Sequence, residues 1–322
     1  MLKSKKIIIL VLAISLVIGI FNFGIAAEKE FVGIATGGTS GTYYPVGGAL
    51  AQTISNNLDG IVVTAQSGNG SRANLNLIGR GQVETGFSQS DVAYWSYTAK
   101  EVYKNEPPIT NIRGIAALFP ETVYVYVNKD SEIKTIEDLR GKKIGVGPPN
   151  GGMACSARII LGLHGITFDD FIPQYLDSSE MADRFIDGQV DACFISAGYP
   201  SSYVLSTESK RDIRFIPLKS EKIKEIVEKY PYYKEITIPT GVYKSLSEPL
   251  FTVAVSALWV CESKLSTTSV YKMTKALWEH RDVLEQAHFQ GKNVTLETAL
   301  DGMSIPLHPG AELYYKEVGL IK

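Results

Sequence analysis

One polar stretch between an apolar strand and a helix, Gly37-Gly-Thr-Ser-Gly-Thr-Tyr-Tyr-Pro45, sets the strongest constraint on what this chain can fold into. The preceding Phe31 to Thr36 reads as a strand, and the glycines permit the positive φ that a tight reversal needs. From Tyr43 to Ile54 the apolar residues Val46, Leu50 and Ile54 recur at helical spacing, and Pro45 suits a first turn that needs no amide hydrogen. Free amides at such a helix start, with the hydroxyls of Thr39, Ser40 and Thr42 beside them, suit a carboxylate or phosphate. The helix dipole adds about 0.3–1 kcal/mol for an anion there. These residues alone leave open the plainer alternative of a glycine turn with a threonine cap.

The same design recurs along the chain. The β-branched run Ile61 to Ala65 leads into Gln66-Ser-Gly-Asn-Gly-Ser71 and a helix from Arg72 to Arg80. Glu84 to Phe87 forms a short strand, and Ser88-Gln-Ser-Asp91 leads into a helical pattern from Val92 to Tyr103 that Ser90 or Asp91 could cap. Three strand, polar-loop, helix units indicate an α/β sheet whose ligands sit beyond the carboxyl ends of its strands, so the loops share one crevice. Two apolar runs follow, Ile112 to Leu118 and Thr122 to Val127, the second with the character of a crossing strand. Helix-start chemistry at Thr135 and Asp138 precedes a strand from Gly141 to Val146, a fourth glycine loop at Gly147 to Gly152, and a helix from Met153 to Leu163. A strand from Ile172 to Leu176, a helix capped by Ser178 and Ser179, and a strand from Val190 to Ile195 deliver Ser196 to the same region. Strands from Arg214 to Leu218 and Ile236 to Pro239 bracket a charged helix, Ser220 to Lys229, and Phe251 to Val260 makes a second crossing. Two crossings predict two lobes, the first built from 28–122 and 254–322 and the second from 123–253. Tyr271, Leu277 and Trp278 in the tail fit core positions rather than a cofactor box.

The N-terminus supplies an address. Lys3, Lys5 and Lys6 precede an apolar run from Ile7 to Ile20, and Gly24, Ala26 and Ala27 precede charged residues, so 1–27 reads as an export signal, either cleaved or kept as an anchor. Over 322 residues the net charge is −2, with no basic excess for nucleic acid. Cys155, Cys193 and Cys261 sit apart in apolar segments, as buried thiols do, and the four histidines lack zinc-site spacing, so no metal is expected. An enzyme is disfavoured, because Ser67 and Ser88 have no neighbouring histidine and no carboxylate pair is evident around Asp91 or Glu121.

The ordered set Ile34 to Pro45, Ser67-Gly-Asn-Gly-Ser71, Gln89-Ser-Asp91, Pro120-Glu121, Asp138-Leu-Arg-Gly-Lys-Lys143, Gly145-Val-Gly-Pro148 and Leu307-His-Pro-Gly-Ala311 resembles the TAXI class of receptors for tripartite ATP-independent periplasmic (TRAP) transporters. The resemblance runs from Phe31 to Lys322. It implies a type II periplasmic-binding fold, a monomer outside the cytoplasm that closes two lobes on a small carboxylate or an amino acid such as glutamate or glutamine. It also implies delivery to a TRAP-type membrane permease, with no cofactor. Carried over by position, the first-lobe contacts fall on Thr39, Ser40, Thr42, Tyr43, Ser67, Asn69, Ser88 and Ser90, and the second-lobe contacts on Asn150, Gly151 and Ser196. Tyr43 or Tyr44 would wall the pocket, and Glu121 would serve either the ligand or the hinge. Tyr124 and Met153-Ala-Cys155 depart from the pattern expected of that family, which bears on side-chain selectivity. A receptor for an ATP-driven (ABC) importer with the same fold is the alternative.

Overall fold

The computed structural model describes residues 29–322; the export signal expected over 1–27 lies outside them. The strands share one ten-stranded sheet in the order β2, β1, β3, β10, β4, β7, β5, β6, with β8 paired to β4 and β9 to β10. They comprise β1 (Glu30–Ala35), β2 (Ile61–Gln66), β3 (Thr85–Gln89), β4 (Ile112–Asn128), β5 (Lys143–Gly145), β6 (Ile172–Gln174), β7 (Ala192–Ala197), β8 (Ile213–Ile216), β9 (Lys234–Ile238) and β10 (Leu250–Glu262). β1 and β3 run parallel, as do β5 with β6 and with β7. That pattern follows from the helical crossovers: α1 (Tyr43–Asn57), α2 (Ser71–Gly79) and α3 (Ser90–Thr98) on one side of the molecule, α4 (Gly152–Leu163), α5 (Ser178–Ile186), α6 (Ser202–Lys210) and α7 (Ser220–Lys229) on the other. The tail contributes α8 (Thr267–Glu279), α9 (Asp282–Ala287) and α10 (Pro309–Glu317). Phe31–Lys322 forms one compact unit.

The two-lobed division is written in the longest strands. The first half of β4 pairs with β10 from Ile112 to Thr122, and its second half pairs with β7 from Thr122 to Val127. β10 likewise pairs with β9 over Leu250 to Ala254 and with β3 over Ala257 to Cys261. The two apolar runs expected around Pro120 are therefore one 17-residue strand. A proline without an amide hydrogen normally breaks a central strand. Here Pro120 stands opposite Ser256, where the β10 register shifts, and the Ser256 amide donates instead to Ser90 Oγ at 3.2 Å.

The buried apolar residues form two clusters. Val46, Leu50 and Ile54 on the inner face of α1 pack with Phe87, Trp259, Leu277 and Tyr315, while Tyr126, Phe185, Phe194 and Ile160 belong to the other cluster. Burying a side chain of this size stabilises by about 1.5–3 kcal/mol. The capping expectations need two corrections. α5 is capped by Asp177, whose carboxylate accepts from the Glu180 amide at 2.9 Å, rather than by Ser178 or Ser179. Gln89 holds the cap position of α3 without a side-chain capping bond, so neither Ser90 nor Asp91 caps it. The short 3₁₀ turn Ile136–Leu139 does carry the Thr135 and Asp138 capping box.

Candidate functional site

The glycine loops end on one cleft. A cavity of about 480 Å³ is walled on one side by Gly37 to Tyr43 and Ser67 to Ser71, and on the other by Gly151 to Met153, Asp177 to Ser179 and Ser196 to Gly198. Four helix starts reach it: α1 at Thr42 and Tyr43, α2 at Gly70 and Ser71, α4 at Gly151 and Gly152, and α5 at Asp177 and Ser178. The first amides of a helix have no partner within it. In α1 the first helical bond runs from Val46 to the Thr42 carbonyl, so the amides of Tyr43 and Tyr44 precede it, and Thr42 makes no capping bond of its own. Gly70, at φ +82°, supplies the left-handed turn that aims α2 at the cavity.

The cavity takes in Thr39, Ser40, Thr42, Tyr43, Ser67, Asn69, Glu121, Gly151 and Ser196 from among the residues expected to meet a ligand. It leaves out Tyr44, Ser88, Ser90 and Asn150. Tyr44 is 37% exposed and borders a separate surface groove with Pro45 and Val63. Ser88 is buried and donates to the Gln89 carbonyl at 3.1 Å. Ser90 braces the hinge through Ser256, and its carbonyl accepts from Ser304 Oγ at 2.6 Å. Asn150 stands on the lip, where its carbonyl accepts from the Ala73 amide at 3.2 Å. Of the positions that depart from the expected family pattern, Met153 lines the cavity. Tyr124 is buried, sharing hydrogen bonds with Ser201 Oγ at 2.9 Å and Tyr243 at 2.8 Å.

Beneath the loops lies a polar network that reading the sequence missed. Glu121, 5% exposed on β4 at the crossing, accepts from the Tyr43 hydroxyl and, at 3.3 Å, from Gln89 Nε2. Gln89 also donates to Ser196 Oγ at 2.5 Å, and its carbonyl oxygen accepts from Ser156 Oγ at 3.4 Å, so this one side chain joins the two walls. Ser71 Oγ accepts from the Gln89 amide at 3.0 Å and lies 3.5 Å from the Tyr43 hydroxyl. Burial pushes the Glu121 carboxyl up to about 8; Asp91 adds to the rise, and the Tyr43 and Gln89 hydrogen bonds oppose it. Burial likewise drives the Tyr43 phenol well above its ordinary range, with Glu121 reinforcing it. Asp91 sits behind the network, accepting from Tyr233 at 2.7 Å and Ser156 at 3.3 Å, and burial lifts its carboxyl to about 6.

The residues around the cavity include no lysine, arginine or histidine. An anion here must be held by amides and hydroxyls at helix starts, which form charge-assisted bonds without a buried cation. The walls also touch: besides the Ala73 to Asn150 bond, Ser202 Oγ donates to the Ser40 carbonyl at 2.9 Å, and Gln290 Nε2 donates to the Tyr199 carbonyl. Among the described residues, no group of three His, Cys, Asp or Glu is placed to hold a metal. No described helix is long and apolar enough to cross a membrane.

Two α/β lobes joined by crossing strands around a polar cleft define the class of architecture, the type II periplasmic-binding fold. The chain belongs to the NMT1-like family, whose model matches residues 34–319. Solved structures share the fold. The alkanesulfonate-binding protein SsuA from Xanthomonas axonopodis pv. citri, bound to MOPS, is 14% identical with a TM-score of 0.51, over 92% of this chain and 96% of that one. An L-cystine ABC transporter protein from Listeria monocytogenes is 14% identical with a TM-score of 0.53, over 84% and 99%. A binding-protein component of an ABC phosphonate transporter from Pseudomonas aeruginosa is 10% identical with a TM-score of 0.51, over 82% and 79%. At these identities the likeness is one of fold. These findings correct the identification with TAXI receptors: the matching family is NMT1-like, and the fold neighbours with a named transport system belong to ABC systems. The expected TRAP-type permease partner is corrected with it.

Proposed function

We propose that this chain is the receptor of an ABC-type importer, taking up a small carboxylate, an amino acid such as glutamate or glutamine, and handing it to the membrane permease. The observation that carries this reading is the convergence of four helix starts on one cavity with no basic side chain around it. A cavity of about 480 Å³ is in the range that takes small metabolites. Magnitudes favour contact with both walls. Dipoles at the three helix ends not already capped by a carboxylate contribute about 1–3 kcal/mol together, short of the about −8 kcal/mol of a micromolar complex. Hydrogen bonds to a charged group, at about 1.5–3 kcal/mol each, make up the remainder when both walls supply them.

The ligand contacts proposed are Thr39, Ser40, Thr42, Tyr43, Ser67 and Asn69 from the first lobe, taken as 28–122 with 254–322, and Gly151 and Ser196 from the second, taken as 123–253. Closure is then a population shift, because a ligand touching both lobes favours the closed arrangement by its differential affinity alone. The test is Thr39→Ala with Thr42→Ala, titrated with L-glutamate and L-glutamine by calorimetry. Losing two hydroxyl contacts at about 1.5–3 kcal/mol each weakens binding by about two to four orders of magnitude while the protein stays folded. Unchanged affinity in a folded variant would remove the anion grip from this loop.

A further inference from the structure

We propose that Glu121 receives the ligand's ammonium group and surrenders its own proton to solvent as it does so, making a free amine, beside a carboxylate, the condition for tight binding. This rests on the reading of the cleft as a receptor site for small carboxylates. Two carboxyl groups border the cavity, and their situations differ. Asp177 is exposed and already engaged with the Glu180 amide as a helix cap. Glu121 is buried at the base of the cleft, on the strand where the two lobes meet.

A carboxylate offers about four lone-pair directions. Tyr43 and Gln89 occupy two of them, one on each oxygen, so acceptor capacity remains for the cavity that Glu121 borders. An ammonium brings three further donors and the positive charge that the cavity lining does not supply. The groups facing Glu121 are the Tyr43 phenol on α1, Gln89 at the end of β3, Asp91 on α3 and the Tyr203 phenol on α6. All are neutral or acidic, so nothing in the protein compensates a negative charge there. Ligand-free Glu121 therefore holds a proton near neutral pH, in line with its carboxyl being lifted to about 8 by burial. The balance is Glu121–COOH plus an ammonium-bearing ligand, giving the Glu121 carboxylate paired with that ammonium and one proton in solvent. No covalent bond other than O–H changes. A dicarboxylate without an amine has no such exchange open to it and meets a site without a counter-ion.

The test uses a matched pair, L-glutamate and its amine-free analogue glutarate, titrated by calorimetry at pH 7 in phosphate and in Tris, whose ionisation enthalpies differ. L-Glutamate should release close to one proton per molecule bound at pH 7, and markedly less at pH 9. Glutarate should bind at least about 30-fold more weakly, because it forms no ion pair with Glu121. In Glu121→Gln the two affinities should converge to within about threefold and the buffer dependence should vanish. The wild-type comparison decides the matter if that variant does not fold. Buffer-independent heat for L-glutamate, or glutarate binding within threefold of it, overturns the inference while leaving the carboxylate cleft intact. No binding of L-glutamate, L-glutamine or glutarate overturns the receptor reading, and this inference with it.

Discussion

Glu121→Gln should change how the stability of the ligand-free protein depends on pH. The unfolded chain releases the Glu121 proton near the ordinary value of 4.5, whereas the folded protein keeps it to about 8. Between those values the folded state binds more protons than the unfolded state, so stability falls as pH rises, at up to about 1.4 kcal/mol per pH unit. Across pH 5 to 8 the slope amounts to a few kcal/mol, a large share of the about 5–15 kcal/mol of a typical domain. Glutamine keeps the shape of the side chain and cannot titrate. Its amide would face the Gln89 amide, a clash relieved when Gln89 turns over and accepts from it, with the Ser196 hydroxyl as donor. Urea unfolding at pH 5, 6, 7 and 8 gives the comparison. The wild type should lose stability relative to the variant through this window, the two curves diverging by at least about 1–2 kcal/mol. Parallel curves, separated by the same amount at every pH to within about 0.5 kcal/mol, would refute the argument that Glu121 is buried without a counter-ion.

Other perturbations address separate parts of the structure. Asp91→Asn should flatten the stability profile in a lower window, because burial holds the Asp91 proton to about 6 while the unfolded chain loses it near 3.8; stability from this group falls as pH rises between those values, and denaturant titration at pH 4, 5 and 6 reads it. Gly152→Ala should destabilise by about 1–3 kcal/mol, since a Cβ there would overlap the Gln89 amide and Ser71 Oγ; an unaltered melting temperature would mean that the two walls are not packed so closely. Leu50→Ala, on the buried face of α1, should cost about 2–5 kcal/mol in urea unfolding. Cys155, Cys193 and Cys261 are free and buried, and burial raises all three thiols, Cys155 and Cys193 to about 12, so a thiol reagent should label the native protein slowly and three groups on unfolding.

The starts of α1 and α2 were legible because each carries a local signature: glycines for the turn, hydroxyls near the cap, apolar residues at helical spacing behind. What escaped is set by tertiary geometry. Along β3 successive side chains alternate faces, and Gln89, which the Gln89-Ser-Asp91 motif contains without giving it a role, is the residue that joins the walls. On α1 one position is worth about 100°, which separates Tyr43 inside the cavity from Tyr44 on the surface. Asp91, which its place before a helical pattern offers as a cap, is a buried acceptor for Tyr233 and Ser156, partners distant in sequence. The single long strand through Pro120 was hidden because its proline lies where pairing passes from β10 to β7, a property of the sheet rather than of the local residues.

The central claim is that the cleft takes a small amine-bearing carboxylate between its two walls. Calorimetric titration of the wild-type protein with L-glutamate and L-glutamine tests it most directly. The account predicts one saturable site per chain for at least one of them, lost or strongly weakened in Thr39→Ala with Thr42→Ala. Absence of binding by both, or binding unchanged in that folded variant, would contradict it.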